Sequence, residues 1–172
     1  MPERILFSEA QIAERLTSVA REIAARVPAP DIAVPVLAGA FVFAADLLRS
    51  LSRAGLQLET EFIWLRSYGR AHAPAELQVI RGPGEAIRGR NVLLIDGVLD
   101  RGATLARSKL LLEQAGAATI VTAVAVVKSV AQPQLNADYA LFHAGSEFLY
   151  GYGMDAGGLG RGLPDIRIRQ VS

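Results

Sequence analysis

The 172-residue chain contains no cysteine, an absence that removes disulfides, thiolate metal sites and a cysteine nucleophile together. It also leaves the redox compartment unreadable from composition. Lysine is nearly absent as well: of 18 basic residues only Lys109 and Lys128 are Lys, and the other 16 are Arg. No apolar run reaches the roughly 18 residues a membrane-spanning helix needs. The N-terminus, MPERILFSEAQ, is charged and amphipathic and does not lead from a basic start into an apolar stretch. A cytoplasmic protein with no membrane partner is expected. With 18 basic against 17 acidic residues the formal charge is +1, so no polycationic stripe offers itself to nucleic acid, and functional electrostatics must be local. The two histidines, His72 and His143, lack metal-ligand spacing.

What is present is a hydrophobic fraction of 51%, enough for one compact domain. Ser8 with Gln11 forms a capping box, and Ile12, Leu16, Val19, Ile23 and Val27 recur at helical spacing, which predicts a helix from Ser8 to about Arg26. Ile32 to Leu37 reads as a strand, Ala38 to Ala40 as a tight turn, and Phe41 to Arg53 as a helix closed by Gly55. Leu58 to Leu65 suits a strand. The polar stretch from Arg66 to Pro74 reads as a mobile loop, Leu77 to Ile80 as a short strand and Arg81 to Gly84 as a turn. Asn91 to Asp96 and Thr119 to Val127 are apolar strands of the buried parallel kind, with a helix from Ala103 to Ala115 between them. Short strand-like pieces follow around Ala140, Phe148 and Ile166. This alternation predicts an α/β fold with a doubly wound, mainly parallel sheet, and ligands on such sheets sit at the C-terminal ends of the strands.

The segment Val92-Leu93-Leu94-Ile95-Asp96-Gly97-Val98-Leu99-Asp100-Arg101-Gly102-Ala103-Thr104-Leu105 carries the most chemistry. A buried strand delivers an acid at its C-terminal end, and a short loop then opens a helix. Backbone N–H groups at a helix start, with the macrodipole behind them, make a phosphate cradle. The alternative is a helix capped internally, with Asp100 or Thr104 satisfying the orphan amides.

This segment resembles the phosphoribosyl-pyrophosphate signature of type I phosphoribosyltransferases, with Asp96 matching the first acid, Asp100 the loop acid, Gly102 the glycine and Thr104 the final threonine. Gly97 departs from it where a second acid is usual, and Arg101 where a threonine is usual. The resemblance covers most of the chain and points to the hypoxanthine/guanine subgroup. It implies a single domain over residues 1–172, with a small hood formed mainly by residues 148–172 and the N-terminal segment. Asp96 would meet the ribose hydroxyls directly or through Mg2+. Asp100, Arg101, Gly102, Ala103 and Thr104 would hold the 5′-phosphate, with Arg101 either binding phosphate or pointing to water. An acid restored at Gly97 would add an acceptor for a ribose hydroxyl.

Elsewhere, Val36 to Leu47 resembles the family's pyrophosphate loop and its following helix. Ala38 and Gly39 would bind pyrophosphate through backbone amides, although the cation usual at Ala38 is missing, and a cis peptide before Ala38 is the family's habit. Ser67-Tyr68 resembles the pair on the catalytic lid, the alternative being an ordinary surface loop. Lys128, leaving a buried strand, would donate to O6 of the purine; snorkelling at a sheet edge is its general alternative. In the stretch from Glu147 to Asp155, Phe148 would stack on the purine and Leu149 would offer backbone groups to the base edge. Asp155 would sit on Mg2+, and Arg161 would fork onto the pyrophosphate. Read without the resemblance, Phe148 is a core residue and Asp155 a turn residue.

The implied reaction transfers 5-phosphoribosyl from phosphoribosyl pyrophosphate to hypoxanthine or guanine, with Asp100 as proton acceptor and a homodimer or homotetramer as the assembly. A phosphoribosyltransferase-like regulator that binds nucleotides and catalyses little is the competing expectation, favoured by Gly97 and Ala38. A partner-binding α/β domain with no nucleotide site is a third.

Overall fold

In the computed structural model, residues 3–68, 76–129 and 136–169 are described. The first strand, β1 (Glu3–Phe7), leads into α1 (Glu9–Ala24). The predicted capping box forms: Ser8 Oγ accepts from the Gln11 amide at 3.3 Å, and the Gln11 side chain accepts from the Ser8 amide at 2.9 Å. The helix then buries Ile12, Leu16, Val19 and Ile23 of the stripe that predicted it and ends two residues before Arg26, so that Val27, the last of that stripe, falls beyond the helix and is exposed. Next come β2 (Ile32–Leu37) and α2 (Phe41–Arg53), with the bounds the sequence predicts.

The strand expected from Leu58 to Leu65 is instead two pieces, β3 (Glu59–Thr60) and β4 (Ile63–Tyr68), which pair with the lower and upper parts of β2. The polar run from Arg66 onward proves to be strand at its beginning. Arg66, Ser67 and Tyr68 belong to β4 and pair antiparallel with β5 (Glu76–Arg81). Inter-strand backbone bonds override the lack of an apolar period there. The remainder of that expected loop, 69–75, lies outside the described residues, as does His72.

A 3-10 turn at Glu85–Ile87 precedes β6 (Asn91–Leu99), which runs three residues beyond the predicted Asp96. Then follow α3 (Ala103–Gln114), β7 (Thr119–Lys128), β8 (Tyr139–Ala144), β9 (Phe148–Tyr150) and β10 (Ile166–Arg169).

The main sheet has the order β5-β4-β2-β6-β7-β8, with β3 also on β2, and every pairing in it is parallel except β4–β5. Alternate residues of β6 feed two cores. Leu93 and Ile95 pack with α1 and α2 on one face, while Val92 and Leu94 pack with Leu105 and Leu112 of α3 on the other. Burial on both faces explains why β6 and β7 read as continuous apolar runs. A separate antiparallel sheet, β1-β10-β9, joins the two ends of the chain. No helix among the described residues is long and apolar enough to cross a membrane.

Candidate active site

Because β2, β4, β6 and β7 are parallel, their C-terminal ends share one edge of the sheet, and the segments singled out by sequence emerge there. Leu99 ends β6, Gly102 stands at the N-cap of α3 with φ +82°, and among the described residues no side chain caps the helix. Neither Asp100 nor Thr104 consumes the first-turn amides, so the internally capped alternative is not what forms. The left-handed Gly102 lets the chain turn directly into the helix, which leaves those amides directed outward. Asp96, Asp100, Arg101, Gly102, Ala103 and Thr104 line a depression of about 330 Å3 over this turn. Arg101 is exposed on its rim and makes no ion pair among the described residues.

An adjoining depression of about 260 Å3 is lined by Gly39, Val98, Asp100, Lys128, Phe148, Leu149, Asp155 and Arg161, with Met154 at its base. Val98 and Asp100 line both, so the two depressions adjoin as the two halves of one cleft. Five sequence segments thus converge on it. A larger depression of about 530 Å3 lies elsewhere, between α1, α2 and Gly162 to Pro164; it contains none of these groups, and Tyr152 is among its lining residues.

Two of the cations in the cleft are already paired. Lys128 Nζ lies 3.2 Å from Asp100 Oδ2, and the Lys128 side chain is largely buried, so it reaches into the cleft instead of snorkelling outward. Arg161 makes two contacts of 2.7 Å, one to Asp155 Oδ1 and one to the Gly153 carbonyl, while the Gly158 amide donates to Asp155 Oδ2 at 2.7 Å. Phe148 is 43% exposed on β9, which excludes the core role that its apolarity alone suggested. Leu149 beside it is buried, with its register fixed by Ile168 of β10.

The turn after β2 brings a second kind of constraint. The peptide Leu37–Ala38 is cis. Ala38 is exposed and lines neither depression, whereas Gly39 lines the second. The Gly39 carbonyl oxygen would lie 2.8 Å from a Cβ at position 97 and 2.6 Å from one at position 153. A side chain at either position would collide with backbone, which cannot swing aside. The expectation that an acid at position 97 would add a ribose contact therefore gives way: the glycine is required by the approach of the turn after β2. Tyr152, Gly153, Val98 and Met154 carried no individual signal in the sequence. Only the alternation Gly151-Tyr152-Gly153 hints that backbone passes close by. The Ser67–Tyr68 pair ends β4 at the same sheet edge, one strand beyond β2; their side chains lie outside the described residues.

Asp96 is 8% exposed, and burial raises its carboxyl to about 6, opposed by the hydrogen bond it accepts from the Gly97 amide at 2.7 Å. An acid whose folded-state value lies above its unfolded one binds extra protons in the native state. Its burden on stability is absent at low pH and grows as pH climbs from about 4 through 6. Asp96→Asn is expected to raise the unfolding free energy by roughly 2 kcal/mol at pH ~7.5 and to leave it nearly unchanged at pH ~4. Chemical denaturation at the two pH values measures this, and an equal effect at both would contradict it. Gly97→Asp is expected to lower the unfolding free energy by roughly 1–3 kcal/mol, the usual result of forcing atoms into filled space. Tighter binding of a ribose ligand by that variant would show the steric reading wrong.

A family model described as phosphoribosyl transferase domain matches residues 8–155. A hypoxanthine-guanine phosphoribosyltransferase of Aquifex aeolicus is 32% identical over 95% of this chain and 92% of its own length. A bifunctional protein TilS/HprT of Listeria innocua is 31% identical over 96% of this chain, which corresponds to 26% of that longer protein. Among solved structures, a variant of Trypanosoma cruzi hypoxanthine phosphoribosyltransferase in a ternary substrates complex superposes with a TM-score of 0.87 at 28% identity, covering 96% of this chain and 94% of that one. The same organism's enzyme in complex with the product IMP gives 0.86 at 29% identity, covering 96% and 93%. Together with a cleft assembled from the segments that carry the family signature, these similarities establish that the chain belongs to the phosphoribosyl transferase family.

Proposed function

We propose that this chain salvages purines by transferring 5-phosphoribosyl from phosphoribosyl pyrophosphate to hypoxanthine or guanine, giving IMP or GMP and pyrophosphate. The observation that carries the reading is the cleft of two adjoining depressions. Its first half offers uncapped helix amides, suited to a phosphate, and its second half offers an exposed ring beside an ammonium group. Asp100 belongs to both halves, between the sugar phosphate and the base.

In this scheme residues 100–104 hold the 5′-phosphate through backbone amides and the Thr104 hydroxyl, with Arg101 adding charge at the rim. Phe148 stacks on the purine, and Leu149 presents backbone groups to its edge. Lys128, a compact single-point donor, meets the O6 carbonyl that hypoxanthine and guanine share and adenine lacks. Entry of the base draws Lys128 from its resting contact with Asp100, leaving that carboxylate available to accept the purine proton. Arg161 and the amides of Ala38 and Gly39 face the pyrophosphate, and neutralising its charge lets the bond at C1′ stretch toward an oxocarbenium ion. Ser67 and Tyr68 belong to a lid that excludes water during that step.

Asp155 and Asp96 are the carboxylates that would hold Mg2+. Mg2+ takes one or two carboxylates and completes its shell with phosphate and water oxygens. When bound, Mg2+ would supply charge neutralisation at the pyrophosphate. We place the enzyme in the cytoplasm as a single domain whose β1-β10-β9 sheet is the hood, working as a homodimer or homotetramer.

Steady-state assays with phosphoribosyl pyrophosphate, Mg2+ and each common purine test the reading. Hypoxanthine and guanine should be converted and adenine should not. Lys128→Ala should raise KM for the 6-oxopurine by about tenfold, and Asp100→Asn should lower kcat far more than it alters purine affinity. No nucleotide formed from any purine would favour the regulator instead.

A further inference from the structure

We propose that the hydrogen bond from the Tyr152 hydroxyl to Asp46 is a positioning contact, holding the loop that carries Asp155 and Arg161 in the geometry that binds pyrophosphate. The proposal rests on the reading of Arg161 given above and adds to it a pair of residues, one of them on α2, that touch no reacting atom.

Tyr152 is 3% exposed, yet its hydroxyl donates to Asp46 Oδ2 at 2.8 Å across 106 residues of sequence. Burial, and next the Asp46 carboxylate, hold the phenol far above its ordinary range, so the hydroxyl remains a donor at any working pH. Asp46 is itself oriented by Arg49, one helical turn along α2. The Tyr152 ring lies in the core at 6.4 Å from that of Phe43, also on α2.

The backbone of Tyr152 is just as constrained. It is the only non-glycine residue with positive φ among the described residues, at +50°. Its amide donates to the Leu163 carbonyl at 3.0 Å, and the next amide, Gly153, donates to the Arg161 carbonyl at 2.9 Å. The Gly153 carbonyl in turn accepts from the Arg161 guanidinium at 2.7 Å. Residues 152 and 153 are therefore the base on which Arg161 is mounted, by its main chain and its side chain alike. That base is held twice from the β2–α2 side, by Asp46 of α2 on Tyr152 and by the Gly39 turn that precedes α2, packed against Gly153. Left-handed backbone is unfavourable for a tyrosine, so burial of the ring comes with a backbone cost. What it provides here is a polar tip that reaches α2 and fixes the loop's angle to the pyrophosphate turn.

Tyr152→Phe keeps the ring and removes only the tip. In the full chain it is expected to raise KM for phosphoribosyl pyrophosphate by about tenfold, the usual size for a lost hydrogen bond to a charged group, while KM for hypoxanthine stays within about twofold. Asp46→Asn retains an oxygen to accept from the phenol and should remain close to wild type, whereas Asp46→Ala should reproduce Tyr152→Phe. The double variant should be no worse than either single one. Unchanged KM values in Tyr152→Phe, or a uniform loss in all constants that follows a falling thermal midpoint, would reduce the bond to scaffolding and overturn the proposal. If Tyr152→Phe does not fold, Asp46→Ala decides by the same criteria. Arg161→Ala separates the two layers. A raised KM for phosphoribosyl pyrophosphate there, with none in Tyr152→Phe, removes the clamp alone, and no change in Arg161→Ala removes the pyrophosphate reading and the clamp with it.

Discussion

The carbonyl of Gly39 sits where the turn after β2, the end of β6 and the loop after β9 come together, with no side chain between them. Contact at backbone distance is possible only because positions 97 and 153 lack a Cβ. The rest of the cleft depends on it. If the turn stood farther out, Gly39 would no longer share a wall with Lys128, Phe148 and Arg161, and the base on which Arg161 is mounted would lose its support. The departure at Gly97, which in the sequence looks like a lost acid, is from this side a condition of assembly.

Charge in the cleft is arranged on the same economical plan. Lys128 faces Asp100 and Arg161 faces Asp155, so these two cations rest on carboxylates with proposed roles of their own, while Arg101 makes no ion pair among the described residues. A chain with formal charge +1 can in this way hold cations in a shallow cleft without an excess of one sign. Asp96 is buried at the strand end, where among the described residues the Gly97 amide alone stabilises its charge. Groups kept at some expense of stability are characteristic of functional sites.

Periodicity made the central elements legible. The stripe from Ile12 to Ile23 and the apolar runs of β6 and β7 carry a strong 3.6-residue or doubly buried signature, and their bounds fall within a few residues of expectation. Elements held by partners distant in sequence were less so. Arg66 to Tyr68 look like loop because their strand character comes from pairing with β5, and β3 and β4 look like one strand because their separate contacts with β2 leave no local trace. In the site, Lys128 could be singled out as a lysine leaving a buried strand in a chain that otherwise uses Arg, and Asp100 as the acid before a helix start, whereas Phe148, Asp155 and Arg161 gained meaning only from the spacing of the family pattern. The Tyr152–Asp46 bond could not be, since nothing local to either residue points to a partner 106 positions away. The role of Gly97 was likewise hidden, because a glycine can be required by a neighbour absent from its own segment.

The account turns on the helix start after β6 gripping a phosphate while the neighbouring half of the cleft takes the base. A crystal structure with inosine monophosphate bound examines both at once. The account predicts the phosphate on the amides of residues 101–104 and the purine ring against Phe148, with O6 within hydrogen-bond distance of Lys128. A phosphate bound away from that helix start, or a ring directed away from Lys128, would contradict it.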